Sequence, residues 1–336
     1  MAVTIYDVAK KAGVSHGTVS RYLNGYSLRE NNRTRVEQAI QELNFQENII
    51  AKGLKGNRSM AIAVLTPRYT AVFVMLITTI IEKIVARENY GLVMCNFEDD
   101  DEQLRQKLLF LQRRAIDGVI IFPEDKGAAG LRILHEYLNL HIPVVLINEP
   151  IPGFETDLIL VDNAVASFRA VEQLILGNHK DIAIINGSQE SYLCQQRLKG
   201  YYEAMQAYNL KVEEEWVKWG NFHSVGGYTA TKELCASPHP PSAIFVVSYY
   251  MTMGAVMALH ELRLRIPDDI SIFGFDHFEP ADAIQPALTV VEHPVEKIGE
   301  QAAHLLLRRI RGDYSDFPQT ITLNTTMLIR GSTRNL

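Results

Sequence analysis

The spacing of apolar residues over the first 45 positions is helical, and it predicts three short helices. One face of the first helix carries four apolar residues, Ile5, Val8, Ala9 and Ala12. Thr4 precedes this helix and has Asp7 three residues on, which is the spacing of a capping box. Gly13 fits a left-handed turn position, where a side chain costs energy. The second helix begins after Ser15, and a third is predicted over about 30–43.

From residue 60 onward, short apolar runs rich in β-branched residues alternate with amphipathic helical patterns. The predicted strands are Ala61–Thr66, Gly91–Asn96, Asp117–Phe122, Pro143–Ile147, Ile182–Asn186, Ala243–Val247 and Ile270–Phe275. The helical patterns include Ala71–Ile84, Glu102–Arg114, Ala164–Leu176, Arg197–Tyr208 and Thr252–Leu262. Such alternation predicts parallel sheets with helices on both faces, divided into two lobes. The predicted fold is a small all-α headpiece followed by a two-lobed α/β core.

Charge is distributed unevenly between these two parts. The whole chain carries 33 Lys and Arg against 39 Asp and Glu, a net charge of −6. Residues 1–60 hold nine basic and five acidic residues, so this segment has a net charge of +4 and the remainder −10. A basic module on an acidic body is the electrostatic footprint expected of a small nucleic-acid-binding domain joined to a part that does not bind.

The outward face of the second helix carries hydrogen-bond donors and no acid, at His16, Thr18, Ser20 and Arg21. Two short helices that meet at a glycine turn, the second with such a face, have the layout of a helix-turn-helix. This motif inserts its second helix into a DNA groove. An ordinary helical hairpin packed on a domain is the alternative.

The run from Thr4 to Gly25 resembles the headpiece of the lactose-repressor/galactose-repressor (LacI/GalR) family of transcription regulators. It reads Thr-Ile-Tyr-Asp-Val-Ala-x-x-Ala-Gly-Val-Ser-x-x-Thr-Val-Ser-Arg-x-Leu-Asn-Gly. The resemblance implies base contacts from His16, Gly17 and Arg21, with Arg21 able to form two hydrogen bonds to guanine. It implies phosphate contacts from a further set, Thr4, Ser15, Thr18, Ser20 and Asn24.

Residues 46–59 resemble the linker of this family, which contains a short hinge helix. The stretch from Asn48 to Leu54 is similar to the family segment Asn-x-x-Ala-x-x-Leu. By this resemblance Leu54 wedges into the minor groove of DNA, and Ala51 lets the hinge helices of two subunits approach each other. Gly53 weakens the helix, and a plain linker is the alternative. The predicted domains are a DNA-binding headpiece at 1–45, a hinge at 46–59 and an effector-binding, dimerising core at 60–336.

Phrases in the last third of the chain also resemble the core of this family, which is similar to periplasmic sugar-binding proteins. Among them are Ile-Phe-Gly-Phe-Asp at 272–276 and Leu-Ile-Arg-Gly-Ser-Thr at 328–333. The core is then expected to have two lobes, three chain crossings between them, and a ligand cleft. The crossings are expected near 148–162, near 279–289 and in the C-terminal strands.

The resemblance also implies a set of effector-binding residues in this cleft. Arg197 and Asp276 match charges that orient the ligand, and Phe222 matches an aromatic ring that covers it. Further contacts are expected from Thr70, Phe73, Asn148, Asp162 and Ser248. At 248–249 the chain has Ser-Tyr where the family commonly has Asn-Asp, and a second tyrosine, Tyr250, follows. The loss of the acid and the gain of two phenols favour a larger, aromatic-stacked or differently charged effector over a standard monosaccharide. The alternatives are Asp276 as a brace of the lobe hinge, Arg197 as part of a buried ion pair, and Phe222 as an ordinary core residue.

The resulting prediction is a dimeric, cytoplasmic repressor of carbohydrate-utilisation genes that binds a palindromic operator and a sugar-like effector. The sequence shows no secretory signal, membrane-length apolar run, metal-ligand spacing, phosphate loop or nucleophile motif, so no cofactor, metal or catalytic site is predicted. Its three cysteines are far apart, which favours reduced thiols. A small-molecule carrier of the periplasmic-binding type and an enzyme acting in the cleft are the alternatives.

Overall fold

The computed structural model describes residues 3–23, 25–45, 58–98, 100–123, 128–138 and 142–335. The chain divides into two compact units, Met1–Met60 and Ala61–Leu336. The predicted hinge helix falls on residues outside the described part of the chain. The three-part division made from the sequence therefore stays a prediction.

The described part of the first unit contains three helices, α1 (Ile5–Ala12), α2 (His16–Leu23) and α3 (Glu30–Glu42). They share a small core of fully buried apolar side chains, Val8, Ala9, Ala12, Val19, Val36 and Ala39. Ile5, Tyr22 and Leu23 pack against this core while partly exposed. The helical periodicity of the sequence identified this buried face, because a core of this size requires apolar residues only where the three helices meet.

The second unit alternates strands and helices along the chain. Its strands are β1 (Ala61–Thr66), β2 (Gly91–Asn96), β3 (Gly118–Ile121), β4 (Val144–Ile147), β5 (Asp157–Val161), β6 (Ile182–Asn186), β7 (Val217–Trp219), β8 (Ala243–Val246), β9 (Ser271–Phe275), β10 (Thr289–Glu292), β11 (Thr320–Leu323) and β12 (Thr326–Leu328). Its α-helices are α4 (Val72–Arg87), α5 (Asp101–Arg113), α6 (Ala128–Leu138), α7 (Asn163–Leu176), α8 (Tyr192–Ala207), α9 (Ser224–Cys235), α10 (Tyr249–Glu261) and α11 (Val295–Ile310).

These strands form two six-stranded sheets. The first has the order β11-β5-β4-β3-β1-β2 and the second the order β12-β10-β9-β8-β6-β7. Neighbouring strands are parallel, except that β12 is antiparallel to β10. We call the first sheet with its helices the first lobe, and the second sheet with its helices the second lobe. Their buried strands form two separate hydrophobic cores, as expected for sheets covered on both faces.

The chain crosses between the lobes at three places. The first crossing follows β5 at Asp162, the second joins β10 to α11 through His293, and the third lies between β11 and β12 before Thr325. The expected position of the second crossing, near 279–289, was wrong, and the first lies at the last residue of its expected range. The strands predicted from the sequence did not include β5, β7 or β10, and the C-terminal strands β11 and β12 were expected without bounds. Strand β5 begins with the buried Asp157, and a charge at a strand end resembles a loop until its distant partner is known.

Candidate DNA-binding surface and effector cleft

Helix α1 is bounded at both ends by the residues that the sequence predicted. The Asp7 amide donates to Thr4 Oγ1 at 3.4 Å, and the Asp7 carboxylate accepts from the Thr4 amide at 2.8 Å. The Thr4 hydroxyl, which donates to the Asp7 carboxylate at 2.6 Å, and the Thr4 amide together hold the pKa of Asp7 below its ordinary value. Gly13 ends the helix at φ +59°, in the left-handed region that favours glycine. The predicted capping box and glycine turn are confirmed.

The outward face of α2 carries an exposed guanidinium, that of Arg21, which can contact another molecule. Ser15 Oγ lies 2.9 Å from Thr18 Oγ1 and also accepts from the Thr18 amide, so these two hydroxyls fix the start of the helix. Arg21 is exposed, and among the described residues its guanidinium has no hydrogen bond or ion pair. By contrast, Arg33 pairs with Glu37 at 2.8 Å on α3. The Arg21 side chain can therefore reach an acceptor outside the protein without first breaking a contact.

An aromatic pair lies on the same unit. The Tyr6 and His16 rings are stacked, with centroids 4.7 Å apart and planes 17° from parallel. Tyr6 belongs to α1 and is 68% exposed, which is unusual for a ring of its size. Its stacking restricts the orientation of the His16 imidazole at the first position of α2.

The second unit has a cleft lined by residues that follow the carboxyl ends of strands in both lobes. These residues include Pro67 after β1, Asn148 after β4, Ser248 after β8 and Asp276 after β9. The cleft holds about 750 Å³ of empty space, counting its open mouth. Its aromatic walls are Phe73, Phe222, Tyr249, Tyr250 and Phe278. Its polar groups are Arg68, Thr70, Asn148, Arg197, Ser248, Asp276 and His293. Apolar walls with a few converging polar groups are typical of a small-molecule site.

Asp276 is held by two hydrogen bonds at the end of β9. Its Oδ1 lies 2.9 Å from Nε2 of His293, and its Oδ2 accepts from the Tyr249 amide at 3.2 Å. Burial raises the pKa of this carboxyl, but the hydrogen bond from His293 and the positive charge of Arg197 lower it by more. The net pKa is below the ordinary value. Asp276 is therefore an ionised carboxylate with a fixed orientation.

Arg197, on α8, is buried and fixed by several contacts. Its Nε donates to Asn163 Oδ1 at 2.8 Å, and its Nη1 donates to the Val247 carbonyl. The guanidinium carbon lies 3.7 Å from the centre of the Phe275 ring. These contacts join α8 to the start of α7 and to the end of β8. Arg197 consequently presents a rigid edge to the cleft, because its side chain cannot reorient without losing them.

Phe222 and Asn148 both depend on unusual backbone geometry. Phe222 has a φ of +58°, and a Cβ at Gly187 would come within 2.3 Å of its ring. Glycine at 187 therefore makes room for the ring that covers this end of the cleft. Asn148 has a φ of +70°, and its Oδ1 is buried without a hydrogen bond to any residue that the structure describes.

The sequence and the fold both resemble those of known regulators. Residues 4–48 match the family described as bacterial regulatory proteins, lacI family, and residues 171–333 match a periplasmic binding protein-like domain. The chain is 35% identical over 332 residues to the HTH-type transcriptional repressor PurR of Proteus mirabilis, covering 98% of this chain and 96% of that protein. The chain belongs to the LacI family.

Relatives of this LacI-family chain share its full length. It is 31% identical over 335 residues to PurR of Actinobacillus pleuropneumoniae serotype 3, covering 99% of both chains. It is similar to the CelR–cellobiose complex with a TM-score of 0.75, 27% identity and coverage of 98% and 99%. Its fold is also that of a lac repressor dimer bound to operator and an anti-inducer, with a TM-score of 0.86, 24% identity and coverage of 99% and 100%. The predicted headpiece with a two-lobed core, and the prediction of a DNA-binding regulator with an effector-binding core, are confirmed.

The cleft of this LacI-family chain contains most of the residues that the sequence nominated. Thr70, Phe73, Asn148, Arg197, Phe222, Ser248 and Asp276 all line it. Asp162 does not, because its carboxylate accepts from the Thr325 amide at 2.8 Å. This contact joins the first and third crossings, so Asp162 braces the hinge between the lobes.

Other nominated and missed residues lie as follows. Gly17 and Ser20 are described on α2, whereas Asn24, Asn48, Ala51 and Leu54 lie outside the described residues. Sequence reasoning did not nominate Tyr6, Arg68, Tyr249, Tyr250, Phe278 or His293. Among these, only Tyr249 and Tyr250 had a signal, because the chain departs from the family pattern at that segment.

Neither a membrane span nor a metal site emerges from the described part of the chain. No helix there is long and apolar enough to cross a bilayer. No group of three His, Cys, Asp or Glu side chains there could hold a metal ion.

Proposed function

We propose that this LacI-family regulator represses transcription as a homodimer that binds a roughly palindromic operator. Two copies of a headpiece related by a two-fold axis present two α2 helices, which match two half-sites of such an operator. The Asn48, Ala51 and Leu54 segment then pairs across the two-fold axis, with the leucines entering the minor groove at the centre. The similar lac repressor dimer is bound to operator, which supports this arrangement.

One observation carries the base-reading part of the proposal, namely the exposed Arg21 guanidinium without a partner among the described residues. Two parallel hydrogen bonds from arginine to guanine contribute about 1–3 kcal/mol of discrimination. His16 reads a neighbouring base edge, and Gly17 leaves its position without a side chain. Thr4, Ser15, Thr18, Ser20 and Asn24 contact phosphates, which set the register without reading sequence.

Selection of bound fragments from random duplex DNA tests this proposal. We expect a palindromic site for the wild-type chain and a steep loss of affinity with added salt. Arg21→Ala should lose the preference for guanine at one position of each half-site. Lys11→Ala is the matched control, because it removes the same charge from α1, where Lys11 pairs with Glu42. Retention of the full base preference by Arg21→Ala would refute the assignment.

We further propose a small, uncharged ring compound rich in hydrogen-bond donors as the effector, with sugars and sugar derivatives the first class to test. The similar CelR protein forms a complex with cellobiose, which supports a sugar. The aromatic walls of the cleft suit the apolar faces of a ring, and its two buried charged groups, Asp276 and Arg197, are opposite in sign. Calorimetric titration of cellobiose, D-glucose, D-ribose and adenosine tests the class. Binding only by strongly charged compounds would contradict it.

We also propose that the cleft binds without turnover and that the protein acts in the cytoplasm, where a transcription regulator reaches its operator. The relatives named above are repressors and not enzymes. Incubation of the same compounds with the chain, followed by chromatography, would reveal any product. Saturable binding without product supports the regulator, and product formation would support an enzyme.

A further inference from the structure

His293 lies where the second crossing enters the cleft, and no pattern in the sequence singled it out. It is 6% exposed and follows β10 directly. Its ring packs between Phe73 of the first lobe, at a centroid distance of 4.8 Å, and Phe275 of the second lobe, at 5.3 Å. The imidazole is therefore fixed in position by both lobes.

The contacts of His293 define which ring nitrogen carries the proton. Nε2 lies 2.9 Å from Asp276 Oδ1, and an ionised carboxylate only accepts hydrogen bonds. Nε2 is consequently the donor, and in the neutral ring Nδ1 is left as an acceptor. Arg197 Nη2 lies 3.4 Å from the same Nε2, and a guanidinium can only donate. The two contacts require opposite roles of Nε2, and the shorter one, to the ionised carboxylate, decides it.

His293 Nδ1 and Asn148 Oδ1 share an unusual property. Both are buried side-chain atoms without a hydrogen bond to any described residue, and no other such atom belongs to a described residue that lines the cleft. A buried polar atom without a partner is costly, and native structures retain few of them. Asn148 follows β4 of the first lobe and His293 follows β10 of the second, so the two acceptors come from different lobes.

We propose that His293 Nδ1 and Asn148 Oδ1 are the paired acceptors that select effectors carrying two hydrogen-bond donors. This proposal rests on the proposed effector function of the cleft and adds a specificity-determining residue to it. One donor of the ligand bonds the acceptor of the first lobe and another bonds the acceptor of the second. The two hydrogen bonds that select the ligand therefore also favour the closed arrangement of the lobes. A ring analogue that lacks either donor leaves an acceptor buried and unpaired and binds more weakly.

Two substitutions separate ligand reading from a merely structural role. In His293→Gln the amide nitrogen takes the place of Nε2, so the hydrogen bond to Asp276 is kept and the acceptor at Nδ1 is lost. In His293→Asn the amide oxygen takes the place of Nδ1, so the acceptor is kept and the bond to Asp276 is lost. His260→Gln is the matched control, because His260 is exposed on α10.

Calorimetric titration of the full-length chain with cellobiose, D-glucose, D-ribose and adenosine provides the first readout. For each compound that binds the wild type, we expect His293→Gln to lose about tenfold or more in affinity. His293→Asn should lose less than His293→Gln, although it melts at a lower temperature. The reverse order would mean that His293 only holds Asp276, and it would overturn the proposal while leaving the effector function standing. Equal affinity in all variants would also overturn it.

Nitrogen-15 spectra of histidine-labelled full-length chain provide a readout that needs no ligand. The His293 signals are assigned by their loss in His293→Gln. We expect the Nε2–H tautomer with an unprotonated Nδ1 in the free protein. A proton on Nδ1 would overturn the proposal. If no compound in the panel binds the wild type, the proposed effector class fails, and the tautomer alone then decides the assignment of Nδ1.

Discussion

The two lobes of the core repeat one backbone and equip it with different chemistry. Their sheets have equivalent strand orders, so β4 of the first lobe corresponds to β9 of the second. The residues after these strands, Asn148 and Asp276, both have a φ of +70°. The Asn148 amide donates to Ile159 on β5 at 2.8 Å, and the Asp276 amide donates to Val291 on β10 at the same distance.

The side chains at these matched positions have opposite states. Asp276 is paired with His293, whereas Asn148 Oδ1 has no partner in the described part of the chain. The next matched residues are Asp162, which follows β5, and His293, which follows β10. Asp162 accepts a hydrogen bond from the Thr325 amide, whereas His293 lines the cleft. Asn and Asp tolerate the left-handed conformation better than most residues, so the backbone alone accounts for both identities. The difference in pairing therefore identifies which lobe holds the fixed charge and which one leaves an acceptor for a ligand.

Each lobe also buries an arginine, and the one in the first lobe has the larger predicted effect on stability. Arg309 on α11 donates to both Asp157 oxygens, at 2.7 and 2.9 Å, and is 2% exposed. Arg309→Met leaves the Asp157 charge buried and unpaired, so we expect urea denaturation to show a loss of about 3–5 kcal/mol. Arg311→Met is the control, because Arg311 pairs with Glu88 on the surface and should change stability by less than about 1 kcal/mol. Equal losses in both variants would contradict the buried pair.

Substitutions at the matched strand ends should separate the lobes further. Asp276→Asn removes the charge that holds His293 and the Tyr249 amide, and it should lower the free energy of unfolding by about 1.5–3 kcal/mol. Asn148→Gly removes a side chain whose Oδ1 has no hydrogen bond to a described residue, at a φ that glycine adopts freely. It should therefore change the free energy of unfolding by less than about 1 kcal/mol. Both variants should bind the effector more weakly, as calorimetry would detect. A large loss of stability in Asn148→Gly would mean that its side chain has a structural role.

Acid stability should depend on one carboxyl with a lowered pKa in each lobe, with a smaller effect than the substitutions above. Hydrogen bonds from Arg308 and Arg309 lower the pKa of Asp316 to about 2, and those from Arg265 lower the pKa of Asp269 to about 2. Each depressed pKa contributes stability that is complete above the unfolded value of 3.8 and is lost as pH falls toward 2. Because the two pKa values are lowered to the same value, Asp316→Asn and Asp269→Asn should each flatten this part of the pH profile to a similar extent. Thermal melts between pH 2 and 5 measure this, and an unchanged profile in either variant would contradict the lowered pKa of that group.

The spacing of apolar residues predicted most helices and strands of this molecule. The strands and site residues that it missed depend on contacts between residues far apart in the sequence. Strands β1, β2 and β6 begin and end where the apolar runs indicated, and β1 and β6 are buried along nearly their whole length. Strand β5 was missed because Asp157 is neutralised by Arg309, which lies 152 residues later. The cleft residues nominated by resemblance came together, whereas His293 depended on the close approach of β9 and β10. No local pattern encodes that approach.

The most direct test of the account is the affinity of the full-length chain for its selected operator, measured by fluorescence anisotropy with and without a saturating compound that calorimetry places in the cleft. If closure of the two lobes is coupled to DNA binding, the wild-type Kd should change by at least about fivefold. In Asp276→Asn this change should shrink. An operator affinity that stays the same in the wild type while the cleft is fully occupied would contradict the account.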